Sequence, residues 1–317
     1  MDNNILLTIC IPTYNRLPIL KKALEDLQPK ITGLPIKILV IDNASTDETS
    51  AYLKEKKGIV YIENETNIGA DNNILKCYLE ASKFSDYICV LGDSYRFEGD
   101  LNLLIEKIQL YTYDVVFLNR FKNNTKYSSN MEFCDLNDFA KYIGGLSDLV
   151  GCIVIKSTAC QEKYFKNYLW SNFIHVGMMF SYLADKVNMK AFFLSDIILT
   201  HTHLVKVKAS TSWYKNTLNI FVYTWFFVIL SLPSIDQVVK LKIIKDHSEL
   251  TRLFGISSLL KLRICGGLKV NEVFAYRKYY PFVTNTSPLL IYLLALLPLP
   301  LVKFIDKSKE IIKKWIK

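Results

Sequence analysis

Over the first hundred residues, apolar runs alternate with amphipathic stretches in a regular order. ILLTICIPTYN, from Ile5 to Asn15, is a continuous apolar run rich in Ile and Leu. That is the pattern of a strand buried on both faces rather than one. The next stretch, RLPILKKALEDLQ, spaces Leu17, Leu20, Leu24 and Leu27 for one face of a helix. IKILVIDNAST at 36–46 predicts a second buried strand, DETSAYLKEKK at 47–57 a short helix, and GIVYIENE at 58–65 a third strand. A helix over 70–82 and a strand in DYICVLGD at 86–93 complete the series. Repeated β–α–β units predict a mostly parallel sheet flanked by helices, an α/β fold of Rossmann type. Ligands of such a sheet gather at the carboxyl ends of its strands.

Those ends are polar. They read PTYNR at 12–16, DNASTD at 42–47 and GDSY at 92–95, and the fold would bring all three to one edge.

The remaining two thirds divide again. Residues 101–212 continue as mixed α/β, with strands expected in DVVFLNRF at 114–121 and GCIVIK at 151–156. A helix from His175 to Val187 would carry Val176, Met179, Phe180, Leu183 and Val187 on one face. From 213 to 317 a helical extension is expected, containing NIFVYTWFFVILSLP and PLLIYLLALLPLPLVKFI and ending in DKSKEIIKKWIK. Neither apolar segment supplies the roughly 20 residues that a spanning helix requires. Two readings stay open for them: core helices of a C-terminal subdomain, or an interfacial surface. In the second, Ile311, Ile312, Trp315 and Ile316 face lipid while the terminal lysines meet anionic headgroups.

Composition narrows the partners. A formal charge of +9 over 317 residues suits a phosphate-bearing ligand, an anionic membrane or nucleic acid. The basic residues concentrate in the tail without a nucleic-acid-binding motif, so nucleic acid is set aside. Seven scattered cysteines with no CxxC pair read as reduced thiols of a cytoplasmic protein. The opening MDNNILLTIC carries no basic segment ahead of its apolar run and no small-residue cleavage site, and so is not read as a signal peptide.

Four segments in order, TICIPTYNR at 8–16, VIDNASTDET at 40–49, NIGADNN at 67–73 and YICVLGD at 87–93, resemble the family 2 glycosyltransferases of the GT-A fold. The resemblance covers roughly the first third of the chain and is nearest to bacterial members that assemble surface polysaccharides, such as O-antigen and capsule. It implies an inverting hexosyltransferase that moves a sugar from a nucleoside diphosphate, UDP first among candidates, to a lipid-linked or oligosaccharide acceptor. Such an enzyme would work in the cytoplasm, peripheral on the inner face of the membrane.

By the same resemblance, Asp42 accepts a hydrogen bond from the base, while Pro12, Tyr14 and Arg16 shape the base and ribose pocket. Asn67 and Gly69 form the next nucleotide-binding loop. Asp71, Asn72 and Asn73 stand where a basic residue often follows it. Asp93 matches the first acid of the family's DxD motif and would be the metal ligand for Mg²⁺ or Mn²⁺, with Ser94 beside it. The last acid of that motif is replaced by Tyr95, whose neutral phenol is a poor ligand for a hard cation. Three explanations stay open: a weak metal site on Asp93 and a histidine, cationic side chains in place of metal, or lost activity. For the second, Arg96, His201, His203, Lys206 and Lys208 are the candidate diphosphate or metal residues. The family's catalytic acid has no counterpart between Glu162 and Asp185, and His175 opens the helix where it would stand, as the candidate base. The alternative to an enzyme is a degenerate GT-A protein that binds a glycan or serves as a scaffold in a polysaccharide assembly complex.

Overall fold

The computed structural model describes residues 5–202 and 212–306, with the side chains of 212 and 213 left aside. The chain divides into two compact units, Met1–Lys206 with Leu232–Ser234, and Val207–Ser231 with Ile235–Lys317.

In the first unit the expected series is present. Strand β1 (Leu7–Thr13) leads to α1 (Leu17–Ile31), then β2 (Ile36–Asp42), α2 (Thr49–Glu55), β3 (Ile59–Glu63), α3 (Ala70–Ala81) and β4 (Tyr87–Val90). Leu17, Leu20, Leu24 and Leu27 of α1 are all buried, as their spacing requires. The four strands pair in parallel, in the order β3-β2-β1-β4.

Beyond β4 the sheet turns mixed. Strand β5 (Tyr95–Glu98) is followed by α4 (Leu101–Tyr111), β6 (Val115–Asn119), β7 (Met131–Phe133) and α5 (Leu136–Ile143). Then come β8 (Ile153–Lys156), α6 (Glu162–Phe165), α7 (Ile174–Ala184) and the long β9 (Ala191–His201). Strand β8 runs antiparallel to both β4 and β6, whereas β6 and β9 are parallel. The far edge of β9 is shared by β7 at its start and β5 at its end, both antiparallel. The parallel portion is therefore narrower than the β–α–β rhythm suggests. The short β5 and β7, and the polar-interrupted β9, gave no clean apolar run from which to read a strand.

Helix α7 differs from its expected form in a second respect. It ends at Ala184, so Val187 lies beyond it and is 96% exposed rather than part of an apolar face. Within the helix, Ile174 to Phe180 are buried without interruption. That is a core helix, not an amphipathic one.

The second unit is helical throughout the described residues. It holds α8 (Ser212–Lys215), a π-helical turn at Asn219–Thr224 running into α9 (Trp225–Ser231), and α10 (Gln237–Thr251). After these come α11 (Ile256–Ile264), α12 (Val270–Ala275), α13 (Tyr280–Val283) and α14 (Pro288–Leu296). A last helix, α15 (Leu299–Asp306), is bent from α14 by 107°. Among the described residues no single helix is long and apolar enough to cross a membrane. Segment 220–232 is largely core: Ile220, Val222, Trp225, Phe226, Val228 and Ile229 are buried. Segment 289–302 is more open, with Leu289, Leu293, Leu296, Leu299 and Leu301 all at least 40% exposed.

Candidate active site

Strand β1 lies between β2 and β4, and their carboxyl ends carry the polar clusters. Asp42 is the last residue of β2, and its side chain is fully buried. Ser45 donates to Asp42 Oδ1 twice, from its backbone N at 3.1 Å and its hydroxyl at 2.5 Å. The other oxygen, Oδ2, is shielded from water and has no hydrogen-bond partner. Burial pushes the Asp42 carboxyl above its ordinary range against the Ser45 bonds, with Glu63 and Asp47 adding to the rise. A buried carboxylate oxygen without a donor is costly and is seldom left so without a reason.

The loops after β1 and β2 are locked together. Asn15, in the left-handed region at φ +51°, accepts from the backbone N of Thr46 at 2.6 Å and donates from its own N to the Ser45 hydroxyl at 2.8 Å. Asp47 accepts from the backbone N of Leu17 at 3.3 Å, and so fixes the start of α1 from the neighbouring loop. Between them Tyr14 is 42% exposed and Pro12 half-buried.

Asparagines extend this lattice under the third loop. Asn43 donates to Asn67 Oδ1 at 2.8 Å and accepts from Asn64 at 2.9 Å and from the Ile68 backbone at 3.0 Å. Asn67 Oδ1 also accepts from the Gly69 backbone N at 2.9 Å. Gly69 sits at φ +83°, with open space where a Cβ would point, so its backbone angle is what favours glycine there. Where Asp71-Asn72-Asn73 replace a basic residue, Asp71 accepts from the Asn172 backbone N at 2.9 Å and Asn73 accepts from Asn64. A lysine does arrive one helical turn later: Lys76 Nζ donates to Asn64 Oδ1 at 2.7 Å.

Asp93 and Ser94 are the central residues of a turn closed by the Tyr95 backbone N donating to Gly92 O at 2.9 Å. Asp93 is 5% exposed. Its Oδ1 accepts from Arg16 Nη1 at 3.0 Å and its Oδ2 from the Thr13 hydroxyl at 3.3 Å. Burial raises the Asp93 carboxyl; the Arg16 charge, its hydrogen bond and the Thr13 hydroxyl oppose that rise. Arg16 thus joins the Asp93 turn through its guanidinium while its own loop borders Asp42.

Tyr95 begins β5, and its cross-strand partner in β9 is His201. Their rings lie 4.3 Å apart, so the position of the missing acid is taken by an aromatic pair. The Ser94 carbonyl accepts from the Thr202 backbone N at 2.9 Å and anchors the end of that pair. Burial and the neighbouring Arg120 charge hold the His201 imidazole below its usual value. Arg120, at the end of β6, forms an ion pair with Asp148. The Asp148 backbone carbonyl accepts from His175 Nε2 at 3.1 Å. Tyr95, His201, Arg120, Asp148 and His175 therefore form one connected group.

Two expectations need correction. His175 is 2% exposed, and burial drives its imidazole down to about 4. A base must touch the acceptor hydroxyl; a covered ring bonded to a backbone carbonyl supports the Asp148 loop instead. Arg96 points away from Tyr95 by strand alternation and pairs with Glu98 at 3.1 Å, with Thr200 also in reach at 3.4 Å. That geometry does not present it to a diphosphate. His203, Lys206 and Lys208 lie outside the described residues, as do Ile311, Ile312, Trp315 and Ile316.

Arg120, Asp148 and the asparagine lattice were missed in the sequence. Arg120 was within reach, since it follows the apolar run DVVFLN at a strand end as Arg16 follows ICIPTYN.

Residues 8–158 match the model of Glycosyl transferase family 2. These residues form a family 2 glycosyltransferase domain. Its span runs from β1 through β8 and includes Asp42, Asp93, Arg120 and Asp148. Abequosyltransferase RfbV of Salmonella typhimurium is 36% identical over 97 residues, a match that covers 27% of this chain and 27% of that protein. The match thus spans about a quarter of that relative's length. The crystal structure of S. aureus TarS 1-349 is similar with a TM-score of 0.55 at 15% identity, covering 85% of this chain and 82% of that one. The same protein in complex with UDP gives 0.54 at 12% identity, over 96% and 91%. These likenesses establish the GT-A fold.

The family implies a divalent metal at the Asp93 turn, which the donors present there would have to hold. Both Asp93 oxygens are engaged by Arg16 and Thr13, and Tyr95 offers a ring packed on His201. Among the described residues no group of three His, Cys, Asp or Glu side chains is placed to hold a metal ion. The residues described do not fit that ion.

Proposed function

We propose that the protein is an inverting glycosyltransferase that moves a sugar from a nucleoside diphosphate, UDP first among candidates, to a lipid-linked or oligosaccharide acceptor of bacterial surface polysaccharide. The observation that carries this reading is the placement of Asp42 and Asp93 at the ends of β2 and β4, on either side of β1. At about 4.8 Å per strand, two strand steps separate these ends by roughly 10 Å, a span suited to a base at one end and a diphosphate at the other. Asp42 Oδ2 has no protein donor and is the acceptor this reading assigns to a base N–H, which must uncover it to reach it. The abequosyltransferase likeness supports sugar transfer, and the UDP complex of a protein of the same fold supports a nucleotide donor.

In the reaction the acceptor oxygen bonds to the anomeric carbon as the bond from that carbon to the diphosphate oxygen breaks. The electron pair leaves with the nucleoside diphosphate, and the acceptor proton passes to a base in the acceptor half. Charge stabilisation of the departing diphosphate is the site's main task.

A membrane-facing second unit fits the lipid-linked acceptor. Residues 288–302 contain no charged side chain, and Leu289, Leu293 and Phe304 are 66%, 51% and 69% exposed. Residues 212–306 hold eleven Lys and Arg against five Asp and Glu. An apolar surface in a cationic unit is the composition that docks on anionic lipid, on the cytoplasmic face of the membrane.

The test is release of nucleoside diphosphate from a panel of UDP-, GDP-, CDP- and dTDP-sugars, with wild type and Asp42→Asn. One donor is expected to turn over, at least about tenfold slower in the variant. Absence of turnover and of binding across the panel would favour the non-catalytic scaffold.

A further inference from the structure

We infer that Arg16, held by Asp93, supplies to the donor diphosphate the positive charge that a divalent cation supplies elsewhere in this family, so that the site works without metal. The inference rests on the nucleotide-sugar reading above and concerns how that same site binds phosphate.

Three observations meet here. Both oxygens of the carboxylate that would hold the metal are engaged: Arg16 Nη1 lies 3.0 Å from Oδ1 and the Thr13 hydroxyl 3.3 Å from Oδ2. A metal at Asp93 would either displace the guanidinium or stand beside it as a second cation, at a turn that is 5% exposed. The second ligand position is filled by Tyr95, a neutral group committed to the His201 ring at 4.3 Å. The Arg120 guanidinium, itself paired with Asp148, acts on both Tyr95 and His201.

Arg16 is suited to the substitute role. Its side chain is 39% exposed, so the guanidinium is open to a ligand while one nitrogen is anchored. Guanidinium carries five donors in a planar fork, and one is spent on Asp93, which leaves others for phosphate oxygens. Asp93 becomes a positioning residue: it aims Arg16. No bond is made or broken by Arg16; it neutralises the oxygen on which the electron pair leaves.

The experiment is calorimetric titration of the full chain with UDP, CDP, GDP and dTDP and with their nucleosides, in EDTA and again in Mn²⁺. The preferred diphosphate should bind in EDTA within about threefold of its affinity in Mn²⁺, whereas metal-bridged sites lose far more. Arg16→Gln should weaken the diphosphate by about tenfold or more and leave the nucleoside unchanged, with partial recovery in Arg16→Lys. Nucleoside binding doubles as the check that Arg16→Gln folds. Diphosphate binding that requires Mn²⁺, or that survives Arg16→Gln undiminished, would overturn the inference while sparing the nucleotide reading. If neither nucleosides nor diphosphates bind, both fall.

Discussion

The interior position of His175 makes a quantitative prediction that separates a supporting residue from a base. In the unfolded chain its imidazole titrates near 6.5, whereas burial in the fold brings it to about 4. Between these values the unfolded state binds a proton that the folded state excludes. Stability is therefore lost as pH falls from about 6.5, and the loss is complete below about 4. The full difference of 2.5 units corresponds to roughly 3 kcal/mol, and between pH 8 and pH 5 the loss is roughly 2 kcal/mol. Asp42, Asp71 and Asp93 are raised carboxyls and gain stability over part of the same descent, so the raw pH profile mixes opposite signs. The comparison that isolates His175 is with His175→Gln, whose amide N–H retains a donor for the Asp148 carbonyl and does not titrate.

Urea denaturation of both proteins at pH 8 and pH 5 gives the measurement. At pH 8 the wild type should be the more stable by about 1–2 kcal/mol, the worth of the packed ring and its Nε2 bond to the Asp148 carbonyl. At pH 5 that advantage should shrink by roughly 2 kcal/mol and vanish or reverse. Turnover in His175→Gln at pH 8 should stay within about threefold of wild type, whereas loss of a general base costs about a hundredfold or more. An equal stability gap at both pH values would refute the buried, neutral imidazole. A collapse of turnover with intact donor binding would restore His175 as the base.

Two further outcomes test the supports of the site. Asp148→Ala strands the largely buried Arg120 guanidinium and should destabilise by about 3 kcal/mol, more than the paired replacement Arg120→Met with Asp148→Leu; equal losses in thermal or urea unfolding would mean that the pair carries little. Gly177→Ala should destabilise by about 2 kcal/mol despite the better helix propensity of alanine, because its Cβ would stand 2.0 Å from the buried Tyr168 ring. A neutral or stabilising result would show that the ring gives way. In the second unit, Leu289→Glu with Leu293→Glu should lower sedimentation with anionic liposomes at least about fivefold, a loss that unchanged sedimentation would rule out.

The legible part of the fold was the part with a single strong period. Apolar runs flanked by turn residues located β1 to β4 and the helices between them, since a strand covered on both faces has no choice of pattern. The part beyond β4 was harder. Strand β9 is long, but its run is broken by Ser195 and Asp196, and β5 is a four-residue edge strand carrying Arg96 and Glu98. Their place comes from pairing across about a hundred residues, which local pattern does not encode. The site divides in the same way. The meeting of Asp42 and Asp93 at one edge could be read because strand ends in this topology converge there. The Arg16–Asp93 pair could not, because it joins residues 77 apart through a side-chain bond. His175 misled for a related reason: a histidine at a helix start looks the same in sequence whether it faces solvent or core, and only packing decides.

The most direct test of the central claim is a crystal structure of the protein with the nucleoside diphosphate that it prefers. The base N–H should lie within hydrogen-bonding distance of Asp42 Oδ2 and the diphosphate against the Arg16 guanidinium beside Asp93, with β1 between them. A nucleotide bound elsewhere, or one that leaves either carboxylate end of the sheet untouched, would contradict it.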